Sequence, residues 1–178
     1  MNSWEIFSGS TEEWNDFVYL KDGNYRQIYE WGEYKSAIGW KVLRFIYRKE
    51  DNIKASVQIT YKTRFFVNAI FIPGGINGDI AALNNEFFDL LKRSLETSFF
   101  YIRADFTKKQ CVKDENLLIN KGWSSSTYKT HSSIYCELDL KKTNEELLAE
   151  AKQKWRYHHK RSLKKQTHIV EKNIPSNF

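Results

Sequence analysis

The chain has 178 residues, with 28 lysines and arginines against 22 aspartates and glutamates, and its net charge is +6. This length fits one domain with a single buried core. The hydrophobic fraction of 41%, together with 16% aromatic residues, excludes a disordered chain. No apolar stretch approaches the roughly 20 residues that a membrane-spanning helix needs, so the sequence predicts none.

The cysteines and the start of the chain indicate a compartment. Cys111 and Cys136 lie far apart without paired spacing, which favours neither a metal site nor a disulfide framework. They suit a reducing compartment. Residues 1–14 show no basic start followed by an apolar run, so no signal peptide is indicated. We therefore expect a cytoplasmic location and leave peripheral contact with a membrane open.

The first half of the sequence predicts two short helices and then three strands. In chain order these are a helix over 12–20, a helix over 30–38, and strands over 42–48, 55–61 and 65–72. Ser10 or Thr11 is available as the N-cap of the first helix, and Gly39 suits the end of the second. The turn residues 50–52 join the first two strands in an antiparallel hairpin, and the glycines after Pro73 end the third strand.

The second half alternates helices with strands. Its predicted elements are a helix over 83–95, a strand over 99–104, a helix over 116–121, a final strand over 133–140 and a last helix over about 144–166. Thr143 followed by Glu146 has the spacing of a capping box, which predicts the start of the last helix. Strands with helices between them, after an opening meander, predict an α/β domain.

The positive charge is concentrated in the last helix. Residues 152–165 hold seven lysines and arginines and no acidic residue, and the rest of the chain carries 21 basic against 22 acidic side chains. One side of a continuous helix through this segment gathers Leu148, Trp155, His159 and Leu163. We expect that side to pack on a core, whereas the other side carries cations and Tyr157. This basic face either binds an anion, most naturally phosphate, or is a solvated helix surface.

Five short motifs, spread over nearly the whole chain, can be compared with a known family. They are Gln27-x-x-x-Trp31-x-x-x-Lys35, the turn 73–79, the strand 101–105, the paired segments 134–140 and 145–148, and the basic helix 154–161. In the same order, each resembles a motif of the Fem-type peptidyltransferases (FemABX), which add amino acids to the peptide stem of cell-wall precursors. The turn departs from the family pattern, since Ile76 replaces its proline and one residue is extra.

The resemblance implies a GNAT-like α/β domain, with a mostly antiparallel or mixed central sheet flanked by helices. It covers the first of the two such domains that these enzymes usually have. We therefore predict one GNAT-like domain over 1–170 that ends in the basic helix, and a tail over 171–178 that leads toward a second domain. The other half is expected beyond this sequence or on a separate chain, unless the protein is a stand-alone or inactive relative.

The same resemblance implies a set of substrate-binding residues. The first domain would bind the acceptor, a nucleotide- or undecaprenyl-linked muramyl peptide, through its diphosphate. Lys35 and Arg161 would clamp this diphosphate, because cations from separate elements fix its orientation. Trp31, Tyr157 and Lys154 would line the same groove. The alternatives are a core position for Trp31 and an ordinary exposed lysine for Lys35.

Asp105 is the predicted catalytic candidate. Asp105 lies at the end of a predicted buried strand. We favour a structural ion pair with Arg103. The alternative, which the resemblance implies, is that Asp105 assists proton transfer from the reacting amine. The implied donor is an aminoacyl-tRNA, or an acyl-CoA in the wider fold class, and no cofactor is expected. The amine would attack an activated ester, and most oxyanion-stabilising residues would lie in the second domain.

Three other interpretations remain open. A CoA-dependent N-acetyltransferase needs a glycine-rich pyrophosphate loop at the start of a helix. Residues 74–78 form the only glycine cluster, and they lack the basic residue that such loops carry before the first glycine. A non-enzymatic nucleic-acid-binding module would use the basic helix and its aromatic residues, with affinity that falls steeply as salt rises. The third interpretation is an isolated half without activity.

Overall fold

A computed structural model of the protein describes residues 3–50, 52–97, 99–106, 112–127, 138–139 and 141–165. The chain forms two compact units, residues 1–133 and residues 134–178, and each is described by itself. The predicted strand over 133–140 lies almost wholly outside the described residues, as do Cys111, Cys136 and the predicted tail over 171–178. Within the described ranges, no helix combines the length and apolar character needed to cross a bilayer.

The first unit contains the sheet. Its elements in chain order are β1 (Ser3–Ile6), α1 (Thr11–Leu20), α2 (Tyr29–Ala37), β2 (Lys41–Lys49), β3 (Asn52–Arg64), β4 (Val67–Gly74), β5 (Asn77–Gly78), α3 (Asn85–Leu95), β6 (Phe100–Phe106) and α4 (Val112–Asn120). Short 3-10 turns occur at Tyr25–Gln27 and Ile80–Ala82. The strand order is β1-β2-β3-β4-β6, with β5 paired to β3, and all pairs are antiparallel except β4 with β6. The mixed sheet with flanking helices confirms the predicted α/β class.

Helices cover both faces of the sheet. Successive strand residues point to opposite faces, and Phe45 and Ile46 of β2 lie in two different environments. Phe45 belongs to the larger core, in which Phe87 of α3 packs against β3 and β4. Ile46 belongs to a smaller core with Trp14 and Val18 of α1. Removal of these large apolar side chains from water is the main stabilising contribution to the unit.

The ends of the early helices follow capping signals in the sequence. The Glu13 amide donates to Ser10 Oγ (3.2 Å) and the Ser10 amide donates to Glu13 Oε2 (2.9 Å), which forms a capping box at α1. After α2, Gly39 has a φ of +81°, a left-handed conformation that glycine adopts at little steric cost. Both predicted helices are confirmed, and their bounds differ from the predicted ones by a single residue.

The third strand begins later than predicted. Sequence alternation placed it over 65–72, whereas β3 continues to Arg64 and β4 starts at Val67. Arg64 pairs with Val67, so Phe65 and Phe66 are the two residues of a hairpin turn. Aromatic residues favour strands and are rare in turns, which explains the error.

The sheet splits between β3 and β4, and the side chain of Gln27 fills the split. The two strands are paired only as far as Thr60 and Phe71. Beyond that point Gln27 Nε2 donates to the carbonyls of Gln58 (3.0 Å) and Pro73 (2.6 Å), and the Gln58 amide donates to Gln27 Oε1 (2.7 Å). Gln27 is completely buried. Its amide therefore replaces the backbone groups of a neighbouring strand, which satisfies buried donors and acceptors that are costly to leave unpaired.

The same polar network fixes α2 against the sheet. Gln58 Nε2 donates to the Ile28 carbonyl (3.0 Å), and Arg44 Nε donates to Gln58 Oε1 (2.7 Å). Arg44 also donates to the Tyr29 carbonyl (2.9 Å) at the start of α2. A Cβ at Gly32 would lie 2.3 Å from Gln58 Oε1, so only glycine allows α2 to approach this closely.

Where the structure describes the second unit, it contains the helices α5 (Asn144–Glu150) and α6 (Gln153–Lys164). Thr143 and Glu146 form the predicted capping box, which is confirmed. The prediction of one continuous helix is wrong, because Ala151 between α5 and α6 is extended, with φ −62° and ψ 144°. Across the break, the Arg156 guanidinium donates to the Ala149 carbonyl (2.8 Å), which satisfies a carbonyl near the end of α5.

The packing predicted for one side of the basic segment is also wrong. Trp155 is 71% exposed and Leu163 is 66% exposed. Leu147 and Leu148 are half-buried, but the extended residue Ala151 separates their helix from α6. The apolar positions therefore do not form one continuous packed stripe.

Replacement of Gln27 by leucine tests the bridge across the split. We expect a loss of about 2–5 kcal/mol in the free energy of unfolding, because the backbone groups of Gln58 and the Pro73 carbonyl would stay buried without partners. Urea denaturation followed by circular dichroism measures this loss. Gln153→Leu, on the exposed surface of α6, is the control and should change stability by less than about 0.5 kcal/mol. Equal effects at both positions would contradict the structural role of Gln27.

Substitution at the β3–β4 turn should produce opposite effects at its two residues. Phe65 has a φ of +55° and Phe66 is not in the left-handed region. Phe65→Gly should raise the free energy of unfolding by roughly 0.5–1 kcal/mol, since a bulky residue is strained at positive φ. Phe66→Gly should lower the free energy of unfolding by a similar amount. Glycine relieves no strain at this position and only increases the conformational freedom of the unfolded chain. Thermal unfolding of both variants provides the comparison, and a loss of stability in Phe65→Gly would refute the assignment of strain.

Candidate functional site

The predicted binding residues Trp31 and Lys35 lie one turn apart on α2 and meet on its surface. Lys35 Nζ lies 5.3 Å from the centroid of the Trp31 ring, 5.8 Å from that of Tyr34 and 5.6 Å from that of Trp40. Each distance is within the range of a cation–π interaction. Three aromatic rings thus surround one ammonium group.

Further residues extend this arrangement. Tyr25 contacts Trp31 edge to face, with ring centroids 5.6 Å apart, and Lys62 Nζ lies 5.0 Å from the centroid of Trp40. We name the whole set the Lys35 cluster: Tyr25, Trp31, Tyr34, Lys35, Trp40 and Lys62. Tyr25 is 63% exposed and Tyr34 is 53% exposed. Lys62 is exposed and Lys35 is half-buried, so the cluster presents aromatic surface and positive charge to solvent.

Trp31 has an unsatisfied hydrogen-bond donor. Its indole Nε1 is buried and has no hydrogen-bond partner among the described residues. The comparable Nε1 of Trp14 donates to the Gln27 carbonyl (2.7 Å), and that of Trp4 donates to the Ala82 carbonyl (2.7 Å). A buried donor without a partner costs roughly 1–3 kcal/mol, and each such group in a native protein calls for an explanation, such as a bound water or ion. Trp123 Nε1 is also buried without a partner among the described residues.

The acidic residues of α2 are bonded elsewhere. The Glu30 carboxylate accepts from Asn15 Nδ2 (3.0 Å), and the Glu33 carboxylate accepts from Arg44 (2.9 Å). Burial raises the pKa of the nearby Tyr61 phenol, so the phenol stays uncharged. Lys41 Nζ lies 5.8 Å from the centroid of the Tyr61 ring. In the described part of the chain, the positive charge of the Lys35 cluster is therefore not cancelled by a carboxylate of the same helix.

Asp105 forms an ion pair at the end of β6. Its Oδ2 lies 2.9 Å from Arg26 Nη1, and the two side chains are 20% and 7% exposed. Asn24 Oδ1 accepts from the Arg26 backbone N–H (3.0 Å) and from Arg26 Nε (3.2 Å), which orients the guanidinium. This pair connects the end of β6 to the 3-10 turn before α2. The ion pair with Arg103 that the sequence suggests stays a prediction.

The remaining predicted residues lie on α6 in the second unit. Lys154, Tyr157 and Arg161 follow one another at spacings of three and four, so they share one helix face. All three are exposed, and Tyr157 contacts His158 with ring centroids 5.6 Å apart. The predicted partnership of Arg161 with Lys35 joins residues of different units and stays a prediction.

The glycine cluster after β4 serves packing. A Cβ at Gly74 would lie 2.4 Å from Asn24 Cβ, and one at Gly75 would lie 2.5 Å from Phe106 Cδ1. The cluster leads into β5 and a 3-10 turn of three residues, whereas a pyrophosphate loop presents its N–H groups at the start of a helix. This arrangement does not favour the CoA interpretation.

A separate cleft of about 500 Å³ opens near the turn of the β2–β3 hairpin, whereas Trp40 and Lys62 of the Lys35 cluster lie at the other end of these strands. Its lining includes Lys21, Lys49 and Lys54, together with Asp79 and Asn84. The cleft is basic, but the Asp79 carboxylate also lines it. In the described ranges, no group of three or more histidine, cysteine or acidic side chains is arranged to hold a metal ion.

Sequence reasoning identified two residues of the Lys35 cluster and missed four. Tyr34 has helical spacing with Trp31, so periodicity could have included it. Trp40 and Lys62 meet because β2 and β3 pair with Lys41 opposite Tyr61. This register is set by the hairpin turn, and a sequence predicts the hairpin more readily than its register.

Replacement of Trp31 by phenylalanine tests the unsatisfied donor. We expect Trp31→Phe to change the free energy of unfolding by less than about 1 kcal/mol, because it removes a buried N–H that has no partner. Trp14→Phe is the matched comparison and should cost about 2–4 kcal/mol, since it removes a satisfied hydrogen bond and leaves a cavity. Urea titrations of both variants measure the difference, and a similar loss in each would mean that the Trp31 donor is satisfied.

The Arg26–Asp105 pair predicts a structural effect. Asp105→Asn should lower the free energy of unfolding by about 2–4 kcal/mol, because the buried Arg26 would lose its counter-charge. Asp16→Asn, on the exposed side of α1, is the control and should be neutral within about 0.5 kcal/mol. Full stability in Asp105→Asn would instead contradict a structural role for the pair.

The comparisons with known proteins concern the fold. No protein-family model and no curated protein sequence matches the chain. Among solved structures, it is similar to FemX, with a TM-score of 0.69 and 18% identity over 95% of this chain and 46% of that chain. Two acetyltransferases are less similar: glucosamine-6-phosphate N-acetyltransferase from Arabidopsis thaliana (TM-score 0.44, 11% identity, 74% of this chain and 97% of that chain) and aminoglycoside 6'-N-acetyltransferase from Acinetobacter haemolyticus (0.45, 12%, 76% and 99%).

These likenesses differ in what they establish. At 18% identity, the similarity to FemX concerns the fold alone, and it extends over nearly the whole of this chain. The chain spans less than half the length of FemX. The predicted fold of a Fem-type half is confirmed, since the chain shares the fold of part of FemX.

Proposed function

We propose that this chain is the acceptor-binding half of a Fem-like N-acyl- or aminoacyltransferase, with a diphosphate-linked cell-wall precursor such as a muramyl peptide as its acceptor. The observation that carries the proposal is the Lys35 cluster, in which an ammonium group lies among three rings beside the unsatisfied N–H of Trp31. The fold shared with FemX supports the transferase class.

The groups of the cluster match a diphosphate chemically. Lys35 supplies a positive charge and Trp31 a hydrogen-bond donor, and phosphate oxygens accept from both. The exposed rings of Tyr25 and Tyr34 offer flat apolar surface with a polar end, which suits a sugar or a base attached to the phosphates. An anion bound here would give the Trp31 N–H an acceptor that the described residues do not provide.

In this proposal, α6 supplies the second set of contacts. Arg161 contributes a second cation for the diphosphate, and Tyr157 and Lys154 lie on the same face of α6. Two cations on separate elements hold the acceptor in one orientation, and orientation is a large part of the rate enhancement in a group transfer.

The proposed reaction forms an amide. The acceptor amine attacks the carbonyl carbon of an aminoacyl-tRNA ester or an acyl-CoA thioester, the new C–N bond forms, and the bond to the leaving oxygen or sulfur breaks. The nitrogen loses a proton and the leaving group gains one. The ion pair with Arg26 favours a structural role for Asp105. A second GNAT-like half supplies most of the oxyanion stabilisation, and no cofactor is needed.

Calorimetry with a nucleotide-linked muramyl pentapeptide tests the proposal. Lys35→Ala and Arg161→Ala should each weaken binding by at least about tenfold, since a charge-assisted hydrogen bond is worth about 1.5–3 kcal/mol. Lys21→Ala, in the separate basic cleft, is the control and should bind as the unmodified protein does.

Two results would contradict the proposed function. Unchanged affinity in both Lys35→Ala and Arg161→Ala would refute the diphosphate site. Tight binding of tRNA that weakens steeply with salt, without any response to the muramyl peptide, would instead favour a nucleic-acid-binding module built on α6.

A further inference from the structure

The turn between β3 and β4 presents two phenylalanines to solvent. Phe65 and Phe66 are each 86% exposed, more than any other large hydrophobic residue in the described ranges. Neither ring belongs to a core cluster. The hydrogen-bonded pair of Arg64 and Val67 closes the turn directly behind them, so both rings stand at a convex tip.

The conformation of this turn is unfavourable for its sequence. Phe65 has a φ of +55°, and two-residue hairpin turns with positive φ strongly favour glycine, asparagine or aspartate. A bulky residue in this region is an outlier that is strained, and strain of this kind often accompanies function. Among the described residues, the core clusters do not include Phe65, and a contact outside the chain would explain a strained, exposed residue at this position.

Other apolar side chains lie beside the tip. Val67 is 47% exposed and Phe99 is 70% exposed, and the Asn68 amide donates to the Phe99 carbonyl (3.3 Å), which places Phe99 beside the start of β4. Tyr101, 60% exposed, follows on β6 opposite Ala69 of β4. The tip thus continues into a further exposed apolar surface.

The charged residues of the hairpin that carries the tip are all positive. Residues 52–78 contain Lys54, Lys62 and Arg64 and no aspartate or glutamate. Lys62 and Arg64 are exposed and lie two residues apart on β3, so they share one face of the strand. The Arg64 guanidinium lies 5.8 Å from the centroid of the Phe65 ring, directly behind the tip.

We propose that the β3–β4 hairpin binds the surface of an anionic membrane, with Phe65 and Phe66 inserted among the lipids and Lys62 and Arg64 at the headgroups. Aromatic side chains and nearby cations are the combination that membrane interfaces favour. A convex tip enters a fluid bilayer without a preformed pocket, whereas a protein partner would need a matching groove. The charge of the flanking residues specifies an acidic lipid surface.

The proposal also orients the first unit. Lys62 belongs to the Lys35 cluster and lies three residues from Phe65 along β3. At about 3.3 Å per residue, this separation is roughly 10 Å. Insertion of the tip would hold the Lys35 cluster close to the membrane surface.

Co-sedimentation of the full chain with vesicles tests this proposal. The protein should bind vesicles of phosphatidylcholine with about 30% phosphatidylglycerol more tightly than pure phosphatidylcholine vesicles. The double variant Phe65→Ser/Phe66→Ser should lose about tenfold in partitioning for each phenylalanine. Lys62→Gln/Arg64→Gln should lose about fivefold per charge, and only on the anionic vesicles.

Two further variants separate membrane binding from stability and from general hydrophobicity. Phe65→Gly should bind the vesicles more weakly although the relief of strain makes it more stable, a combination that a purely structural role does not produce. Tyr19→Ser/Leu20→Ser removes apolar side chains that are 64% and 75% exposed at the end of α1, and it should bind as the unmodified protein does.

Three outcomes would overturn the proposal. Full vesicle binding by Phe65→Ser/Phe66→Ser would assign any membrane affinity to another segment, such as α6. Equal losses in that variant and in Tyr19→Ser/Leu20→Ser would indicate a non-specific effect. A concentration-dependent dimer that disappears in Phe65→Ser/Phe66→Ser would identify a second copy of the chain as the occupant of the tip. Binding of the nucleotide-linked muramyl peptide should be unchanged in Phe65→Ser/Phe66→Ser, whose residues lie outside the Lys35 cluster, so the membrane proposal and the proposed function can fail separately.

Discussion

The first unit depends on one buried amide. Gln27 bonds to β3 and β4 where these strands separate, and Pro73 has no N–H with which to restore the pairing. Gln58 then connects the split to the residues before α2, and Arg44 connects α2 to β2. Each of these polar atoms would be costly if it were buried alone. The network therefore stabilises one arrangement of helix and strands rather than many similar ones.

This arrangement gives the motif Gln27-x-x-x-Trp31-x-x-x-Lys35 two parts with different tasks. Gln27 anchors the chain to the split sheet, and the following helix places Trp31 and Lys35 on its surface one turn apart. Gly32 allows the close approach that brings this helix onto Gln58. The position of the Lys35 cluster is thus determined by a residue that does not belong to it. A binding surface supported in this way is rigid before any ligand arrives, which reduces the entropy lost on binding.

Local signals in the sequence predicted most of the fold, and non-local contacts account for the errors. Ser10, Gly39 and Thr143 act on the adjacent backbone, so the helix ends that they specify were predictable. The turn at Phe65 was missed because phenylalanine favours strands. The helix break at Ala151 was missed because no proline or glycine marks it in the sequence. Trp31 and Lys35 were identified by family resemblance, whereas Trp40 and Lys62 join them only through the register of β2 and β3. The ion pair of Asp105 with Arg26 likewise requires the packed structure, since the two residues lie far apart in the chain.

The filled split also bears on self-association. A gap between two strands leaves free N–H and C=O groups, and such groups invite a strand from another molecule. Here β5 pairs with Ala55 and Ser56. The Gln27 side chain forms hydrogen bonds with the backbone N–H and C=O of Gln58. An incoming strand would meet backbone groups that are already bonded. One glutamine and a strand of two residues thus allow the sheet to open without creating an aggregation-prone edge.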